Sequence, residues 1–313
     1  MTETVNAAKP AGKTESDRQD QSWIARATPG PLRPYMFLMR LDRPWGSWLL
    51  LLPCWWSVSL ASGGGWPDLG LMALFALGAV IMRGAGCVMN DIADRDFDGQ
   101  VARTANRPIP SGQVTVRQAL AFQIFLGFVG LAILVQFNLF AIGVGILSLT
   151  TVLVYPYMKR FTYWPQIFLG LSFNWGALLG WAAVKGSMDP AAVVLYVAGI
   201  FWTLGYDTIY AHMDKDDDAL VGIKSTALKL GDATPKWLVF FYAMVIALAA
   251  VAGELAGLSI WYYAALAPAA LHLGWQIRGL DIHDPKQCLS RFKSNRDFGL
   301  LLLAAILVGQ LVR

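Results

Sequence analysis

The 313-residue chain is too apolar to be an ordinary soluble domain. Hydrophobic residues make up 56% of it, charged residues 15%, and the mean hydropathy is +0.48, with a net charge of only +4. Soluble domains carry about 25% charged residues. The composition therefore excludes a soluble globular enzyme and predicts an all-α, polytopic integral membrane protein.

The N-terminal segment is polar. Residues 1–34 include Glu15, Asp17 and Asp20 and lack the apolar core of a signal peptide. We therefore predict a disordered tail over 1–34 and a membrane domain over 35–313. Mitochondrial presequences are rich in Arg and poor in acids, so this start favours a bacterial cytoplasmic membrane over the mitochondrial inner membrane.

Nine apolar segments follow the tail, and we interpret each as a membrane-spanning helix, which needs about 20 residues. Their predicted limits are 45–62, 69–90, 118–136, 139–157, 164–184, 191–211, 236–253, 258–277 and 298–312. With a cytoplasmic N-terminus, the segments on the cytoplasmic side hold 22 of the 25 Lys and Arg residues. The positive-inside rule therefore supports nine spans in that orientation.

One cation lies inside a predicted span. Arg83 falls within 69–90, where inserting an Arg costs about 2.5–3.5 kcal/mol. It stands seven residues before Asn90 and eleven before Asp94, which returns it to nearly the same helix face. Two interpretations stay open: a buried pair with an acid at the helix end, or binding of an anionic group of a substrate.

The second span ends in an acidic stretch, GCVMNDIADRDFDGQ at 86–100. On a helix, Asp91, Asp94 and Asp98 lie within about 60° of one face, whereas Asp96 points away. Three carboxylates on one stripe repel one another unless a cation lies between them. That cation can be a metal ion. The competing explanation is pairing with arginines of the same segment, namely Arg95, Arg103 and Arg107.

A second acidic stretch, GYDTIYAHMDKDDD at 205–218, closes the sixth span. On a continuous helix, Asp207, Asp214 and Asp218 would again share one face. Both stretches end on the predicted cytoplasmic side, so we expect two half-sites that face each other. The candidate metal ligands are all carboxylates, with no His or Cys among them, and such a set favours Mg²⁺ over zinc or copper. In proteins, Mg²⁺ usually joins carboxylates to phosphate. The expected ligand is therefore a magnesium diphosphate.

A diphosphate site at the water boundary above an apolar helix bundle indicates a substrate that has a charged diphosphate and an apolar tail, such as an isoprenyl diphosphate. Aromatic side chains such as Tyr155 would shield an allylic cation by cation–π contact. Membrane topology alone explains each nearby cation equally well. The cations expected to neutralise the diphosphate are Arg43, Arg103, Arg107, Lys159, Arg160, Lys215 and Lys224.

Four separated stretches resemble the UbiA superfamily of intramembrane aromatic prenyltransferases. NDIADRDFDGQVARTANRPIPSG at 90–112 is similar to its N-D-x-x-D-x-x-x-D signature and the following R-T-x-x-R-P. YDTIYAHMDKDDD, with GIKSTA at 222–227, is similar to its second motif, D-x-x-x-D. The other two are LDRPWGSWLLLLPCWW at 41–56 and YPYMKRFTYWPQIFLGLSFNWGALLGW at 155–181. The resemblance covers about residues 35–300.

The resemblance implies nine transmembrane helices around a central cavity and Mg²⁺-dependent transfer of a polyprenyl group from polyprenyl diphosphate to an aromatic acceptor. The stretches at 155–181 and 205–227 resemble the branch that alkylates 4-hydroxybenzoate ortho to its hydroxyl for ubiquinone. Asp207 is expected to orient a cation or accept a proton. The resemblance implies that two Mg²⁺ ions are bound. One would be held by Asp91, Asp94 and Asp98 beside Asn90, and the other by Asp214 and Asp218.

Two kinds of alternative remain open. Sister enzymes of the haem O, menaquinone and homogentisate branches share the aspartate motifs and differ in the acceptor. A cation-coupled transporter would also place acids in a membrane, although along a path rather than on one side. Membrane lipid is the expected surrounding, and we expect neither a nucleic-acid partner nor an obligate protein partner.

Overall fold

The computed structural model describes residues 22–99, 104–220 and 222–312, and all regular secondary structure in these ranges is helical. The described chain divides into two compact units. The first unit contains the residues up to Pro44 together with Cys87–Phe125, and the second contains Trp45–Gly86 and the residues from Leu126 onward. The predicted all-α class is confirmed.

The first unit begins with two short helices, α1 (Trp23–Ala27) and α2 (Arg33–Leu38). Ile24, only 1% exposed, packs with Ala25 and Phe37 in a small apolar cluster. Residues 22–34, which fall in the predicted disordered tail, thus include a helix in which Ile24 and Ala25 are buried. Residues 1–21 of that tail lie outside the described residues.

The longer helices follow in chain order. They are α3 (Trp45–Leu60), α4 (Leu69–Asp98), α5 (Val116–Leu134), α6 (Leu139–Phe161), α7 (Pro165–Phe173), α8 (Gly176–Lys185), α9 (Pro190–Ala211), α10 (Lys215–Leu220), α11 (Thr226–Leu230), α12 (Thr234–Leu255), α13 (Trp261–Ile277), α14 (Pro285–Lys293) and α15 (Asn295–Leu311).

Six stretches of the described chain are helical, long and apolar enough to cross a membrane. They are Leu69–Asp96, Val116–Leu134, Leu139–Phe161, Pro165–Lys185, Pro190–Ala211 and Thr226–Leu255. At the other three predicted spans, α3, α13 and α15 have 16, 17 and 17 residues. Helices of that length extend about 24–26 Å, less than the hydrocarbon core of about 30 Å. Membrane integration is therefore supported, and the count of nine stays a prediction.

The second unit has a core of closely packed helices. α9 packs against α12, α3 against α8, and α13 against α15. At Gly205 the backbone of α9 lies directly against the ring of Tyr242 on α12, and a Cβ atom at that position would overlap the ring. Small residues at helix contacts allow apolar helices to pack closely in this way.

Buried hydrogen bonds connect four of these helices. Asn295 Oδ1 accepts from Trp202 Nε1 at 2.8 Å and from Gln276 Nε2 at 3.2 Å. Tyr242 donates its hydroxyl proton to Gln276 Oε1 at 2.6 Å. Since buried polar groups must be satisfied within the protein, this network holds α9, which carries the start of the second acidic stretch, against α12, α13 and α15.

The predicted span at 164–184 is interrupted in the structure. α7 ends at Phe173 and α8 begins at Gly176. The side chain of Asn174 donates to the carbonyl of Gly170 at 2.9 Å and to Thr203 Oγ1 at 2.8 Å. An Asn side chain that bonds to nearby backbone competes with the helical pattern, which accounts for the break.

Candidate active site

The first acidic stretch lies on the last turns of α4. Asp91, Asp94 and Asp98 are buried, with exposed fractions of 2%, 8% and 8%, whereas the side chain of Asp96 is 77% exposed. The helix continues unbroken from Leu69 to Asp98. The prediction that three carboxylates share one face and that Asp96 points away is therefore confirmed.

Two arginines of the first unit bind these carboxylates. Arg40 Nη2 donates to both oxygens of Asp91, at 2.8 and 3.0 Å. Arg107 Nη1 donates to Asp98 Oδ2 at 2.6 Å and to Asp91 Oδ1 at 3.2 Å. Such charge-assisted bonds compensate carboxylates that have lost contact with water.

Of the arginines expected to pair with this face, only Arg107 is seen there among the described residues. Arg95 instead pairs at 3.3 Å with its neighbour Asp96, and both side chains are largely exposed. Arg103 lies outside the described residues. Sequence reasoning missed Arg40, which is 51 positions from Asp91. The signal available for it was its place in MRLDRPWG, three residues before Arg43.

Arg40 also has an unusual backbone. Its φ angle is +55°, in the left-handed region that residues with a Cβ seldom adopt. Its Nη1 donates to the carbonyl of Phe37 at 3.0 Å. Strain of this kind costs about 1–3 kcal/mol and persists where surrounding contacts hold it, often at functional sites. The pair with Asp91 is one such contact.

The donor set of the first stretch suits a hard divalent cation. Carboxylate oxygens are the ligands that Mg²⁺ prefers, and three acids face two arginines in the described part of this unit. Burial raises the pKa of Asp98, and the charge of Arg107 opposes that rise. No group of three or more His, Cys, Asp or Glu residues in the described ranges converges closely enough to hold a metal. Arg40 and Arg107 bind the carboxylate oxygens that a metal ion would need.

The second acidic stretch does not lie on one helix, so the predicted common face of Asp207, Asp214 and Asp218 is wrong. α9 ends at Ala211, and α10 begins at Lys215. The amides of His212 and Met213 donate to carbonyls only three residues earlier, at 3.3 and 3.0 Å. This tighter last turn takes the chain off the α-helical path. Asp207 lies on α9, Asp214 in the turn and Asp218 on α10.

Asp207 has polar neighbours within the second unit. Gln166, on α7, is a polar neighbour of its carboxylate, and Arg83 and Asp218 act on it electrostatically. Tyr206, next to it on α9, is 1% exposed, and its hydroxyl accepts from Thr203 Oγ1 at 3.1 Å. The structure thus brings Asp207 and Arg83 into one polar neighbourhood within a helical core.

Arg83 reaches this neighbourhood from α4. Its guanidinium carbon lies 5.5 Å from the ring centroid of Phe173 on α7, a cation–π distance. Its side chain also lies against Gly46 at the start of α3. The charge of Arg83 acts on both Tyr206 and Asp207. Gln166 and Phe173 were missed from the sequence, although both occur in the stretch at 155–181 that carried the resemblance.

The remaining predicted cations lie on loops and helix ends. The amide of Lys224 donates to the carbonyl of Lys159 at 2.8 Å, and Lys224 Nζ donates to the carbonyl of Phe161 at 3.2 Å. Arg160 lies over the ring of Tyr157 at 5.6 Å. The contacts of Lys224 join the last turn of α6 to the segment after α10.

Four further predicted residues, Arg43, Lys215, Tyr155 and Asn90, have separate surroundings. Arg43 Nε donates to Asp42 Oδ2 at 3.1 Å. Burial, together with the charge of Lys215, lowers the pKa of His212 to about 4. Tyr155 lies on α6. Asn90, one residue before Asp91 on α4, is partly buried.

Comparison with known proteins agrees with these motifs. Residues 50–304 match the model of the UbiA prenyltransferase family. The chain is 48% identical over 309 residues to the protein of Rattus norvegicus named 4-hydroxybenzoate polyprenyltransferase, mitochondrial, covering 97% of this chain and 83% of that one.

Solved structures have the same fold. A UbiA homolog from Aeropyrum pernix K1, in an apo structure, is 29% identical with a TM-score of 0.64, covering 84% of this chain and 96% of that one. A UbiA homolog from Archaeoglobus fulgidus, solved bound to GPP and Mg²⁺, is 20% identical with a TM-score of 0.62, covering 87% and 99%. On the family match and the close relative, the chain belongs to the UbiA prenyltransferase family.

Proposed function

We propose that this chain transfers a polyprenyl group from polyprenyl diphosphate to 4-hydroxybenzoate, giving 3-polyprenyl-4-hydroxybenzoate for ubiquinone biosynthesis. The observation that carries the proposal is the 48% identity, over 97% of the chain, to a relative named for this activity. The two acidic stretches and the polar neighbourhood of Arg83 and Asp207 provide residues suited to a diphosphate and to an aromatic acid.

Mg²⁺ is the proposed cofactor. The buried carboxylates of the first stretch supply hard oxygen donors, and the related Archaeoglobus fulgidus protein was solved with Mg²⁺. Bound Mg²⁺ would neutralise the diphosphate and so ease its departure as a leaving group. The proposed ligands are Asp91, Asp94 and Asp98 beside Asn90 for one ion, and Asp214 and Asp218 for the other.

In this proposal the residues of the chain position the substrates and exclude water. The allylic C–O bond of the prenyl diphosphate breaks, and a C–C bond forms at the ring carbon ortho to the hydroxyl of the acceptor. The apolar helices keep water from quenching the allylic cation, and Tyr155 stabilises that cation through its ring. Asp207 receives the proton that the ring carbon loses.

Cations on the water side would neutralise the diphosphate as it leaves. Arg107 is suited to this because it already binds the carboxylates of the first stretch. Lys159 and Lys224 are suited because their segments are bonded to each other. The other cations proposed for this role are Arg43, Arg103, Arg160 and Lys215.

Arg83 is the proposed ligand of the acceptor carboxylate. A guanidinium inside an apolar helix is costly unless it has anionic partners, and it binds a carboxylate with two parallel hydrogen bonds. Arg83 lies beside the aromatic ring of Phe173, against which a benzoate ring can pack.

The direct test uses membranes that contain this chain, with labelled 4-hydroxybenzoate, a polyprenyl diphosphate and Mg²⁺. We expect a labelled, prenylated product that does not form with membranes containing Asp91→Ala. Homogentisate supplied in place of 4-hydroxybenzoate should give no product. Transfer to homogentisate without transfer to 4-hydroxybenzoate would assign the chain to a sister branch instead.

We also propose nine membrane spans around a central cavity, with a cytoplasmic N-terminus and with both acidic stretches facing the cytoplasm. This arrangement is supported by the distribution of Lys and Arg. Cysteines introduced at Ser62 and Ser187 should react with an impermeant thiol reagent from outside, and a cysteine at Gln113 should not. Labelling of Gln113→Cys from outside would contradict the arrangement.

The proposed location is an integral membrane. The Rattus norvegicus relative is named as a mitochondrial protein. This conflicts with the bacterial cytoplasmic membrane that residues 1–34 led us to expect. We therefore retain the membrane location and not that choice of compartment. Extraction at alkaline pH should leave the protein in the membrane pellet, and its release would contradict integral insertion.

A further inference from the structure

The place of the Arg83 guanidinium depends on a glycine of another helix. Gly46 is the second residue of α3, which begins at Trp45. A Cβ atom at position 46 would overlap Nε of Arg83 and would stand 3.0 Å from both Cζ and Nη2. The guanidinium therefore occupies the space that any other side chain at position 46 would take.

A residue of another helix also contacts Arg83. The ring of Phe173, on α7, lies 5.5 Å from Cζ of Arg83. Gly46 on α3 and Phe173 on α7 thus both lie against this side chain. A methyl group at position 46 would displace the guanidinium.

We propose that Gly46 is a positioning residue that fixes the Arg83 guanidinium and thereby the selectivity of the enzyme for an aromatic carboxylic acid as acceptor. The inference rests on the proposed role of Arg83. Gly46 itself touches no substrate in this proposal, because its contribution is the absence of a side chain. A displaced guanidinium would no longer meet the acceptor carboxylate in two parallel bonds.

The test is Gly46→Ala in the full-length, purified protein. We expect the KM for 4-hydroxybenzoate to rise by about tenfold or more, as for the loss of one well-placed charged hydrogen bond. The KM for the polyprenyl diphosphate should change little. Gly86→Ala is the matched control, since Gly86 lies on the same helix as Arg83 and a Cβ there meets nothing within 4 Å. Its kinetic constants should match those of the wild type.

A double-mutant cycle shows whether the methyl group acts through the guanidinium. In an Arg83→Lys background, Gly46→Ala should raise the KM for 4-hydroxybenzoate little further. The guanidinium that the new methyl group would displace is absent from that variant. Additive effects of the two substitutions would overturn the inference. So would a Gly46→Ala enzyme with unchanged KM beside an Arg83→Lys enzyme with raised KM. If Arg83→Lys itself leaves that KM unchanged, the proposed role of Arg83 fails first.

A folding defect gives an equally clear result. If Gly46→Ala does not accumulate in membranes and the added Arg83→Lys restores it, the clash is with the guanidinium, as proposed. If neither variant accumulates while Arg83→Lys alone does, position 46 serves the packing of α3, and the inference is wrong.

Discussion

The two acidic stretches have similar spacing in the sequence but different structures. In the first, one unbroken helix carries Asp91, Asp94 and Asp98 on a buried face. In the second, the helix ends at Ala211, and the acids occupy a helix, a turn and a second helix. In the first, arginines contact the carboxylates directly, whereas in the second Asp207 has Gln166 and Arg83 as polar neighbours.

This difference shows what the spacing of acids can predict. It predicts that buried carboxylates need compensating groups, but it does not predict whether the acids lie on one helix. Buried carboxylates need compensating groups whatever the backbone path. In the first stretch Arg40 and Arg107 compensate them, and Arg40 keeps a strained φ of +55° while doing so. In the second stretch the tightened turn after Ala211 brings Asp214 and Asp218 onto separate elements. Variants of each stretch can therefore separate the functions of the two regions.

The largest expected effect is the loss of an acid from either region. Asp91→Ala and Asp214→Ala should each lower turnover by about 100-fold or more, because a group that stabilises developing charge is worth about 2.7–4 kcal/mol. EDTA should abolish activity, and Mg²⁺ should restore it. The measurement is prenyl transfer by protein that still inserts and purifies. Near-normal turnover of either variant would contradict a role for both regions.

The next effect separates the acceptor from the diphosphate. Arg83→Lys keeps the charge but loses the planar group that binds a carboxylate with two bonds. The KM for 4-hydroxybenzoate should rise roughly tenfold, equivalent to about 1.4 kcal/mol of binding. The KM for the diphosphate should stay near its wild-type value. A rise in the latter KM alone would assign Arg83 to the diphosphate.

A smaller effect concerns stability in the first region. Arg40→Gln removes a contact of a carboxylate that is 2% exposed, and breaking such pairs costs about 3–5 kcal/mol. Arg107 still contacts Asp91, so we expect a loss of about 2 kcal/mol and a lower melting temperature without metal. Added Mg²⁺ should raise that temperature more in the variant than in the wild type. Arg95→Gln, whose pair is exposed, is the control and should leave both values unchanged.

The smallest effect is expected at the acid that lies off the buried face. Asp96→Ala removes a side chain that is 77% exposed and paired with Arg95. Exposed pairs contribute about 0–1 kcal/mol, so turnover should stay within about twofold of the wild type. A loss comparable to that of Asp91→Ala would mean that the face of the helix does not decide which acids act.

The sequence by itself determined that the chain lies in a membrane, that its fold is helical and which family it belongs to. Apolar segments and the charges between them reflect the energy of burying each residue in lipid, which depends on local composition. The face that holds Asp91, Asp94 and Asp98 was also predictable, since a regular helix converts spacing into direction. The motifs at 90–112 and 205–227 also indicated the family. They could be recognised from the sequence because the residues of each motif are contiguous in the chain.

Only the tertiary structure decided which distant groups meet these residues. Arg40 reaches Asp91 across 51 positions, and Gly46 and Phe173 come from different helices to surround Arg83. No local pattern records such pairs, because they arise where packed helices bring buried charges together. The end of α9 at Ala211 was likewise hidden, since the stretch that follows is compatible with a helix. The contacts of the assembled core, rather than the order of residues, therefore set the positions of the groups proposed to bind the acceptor.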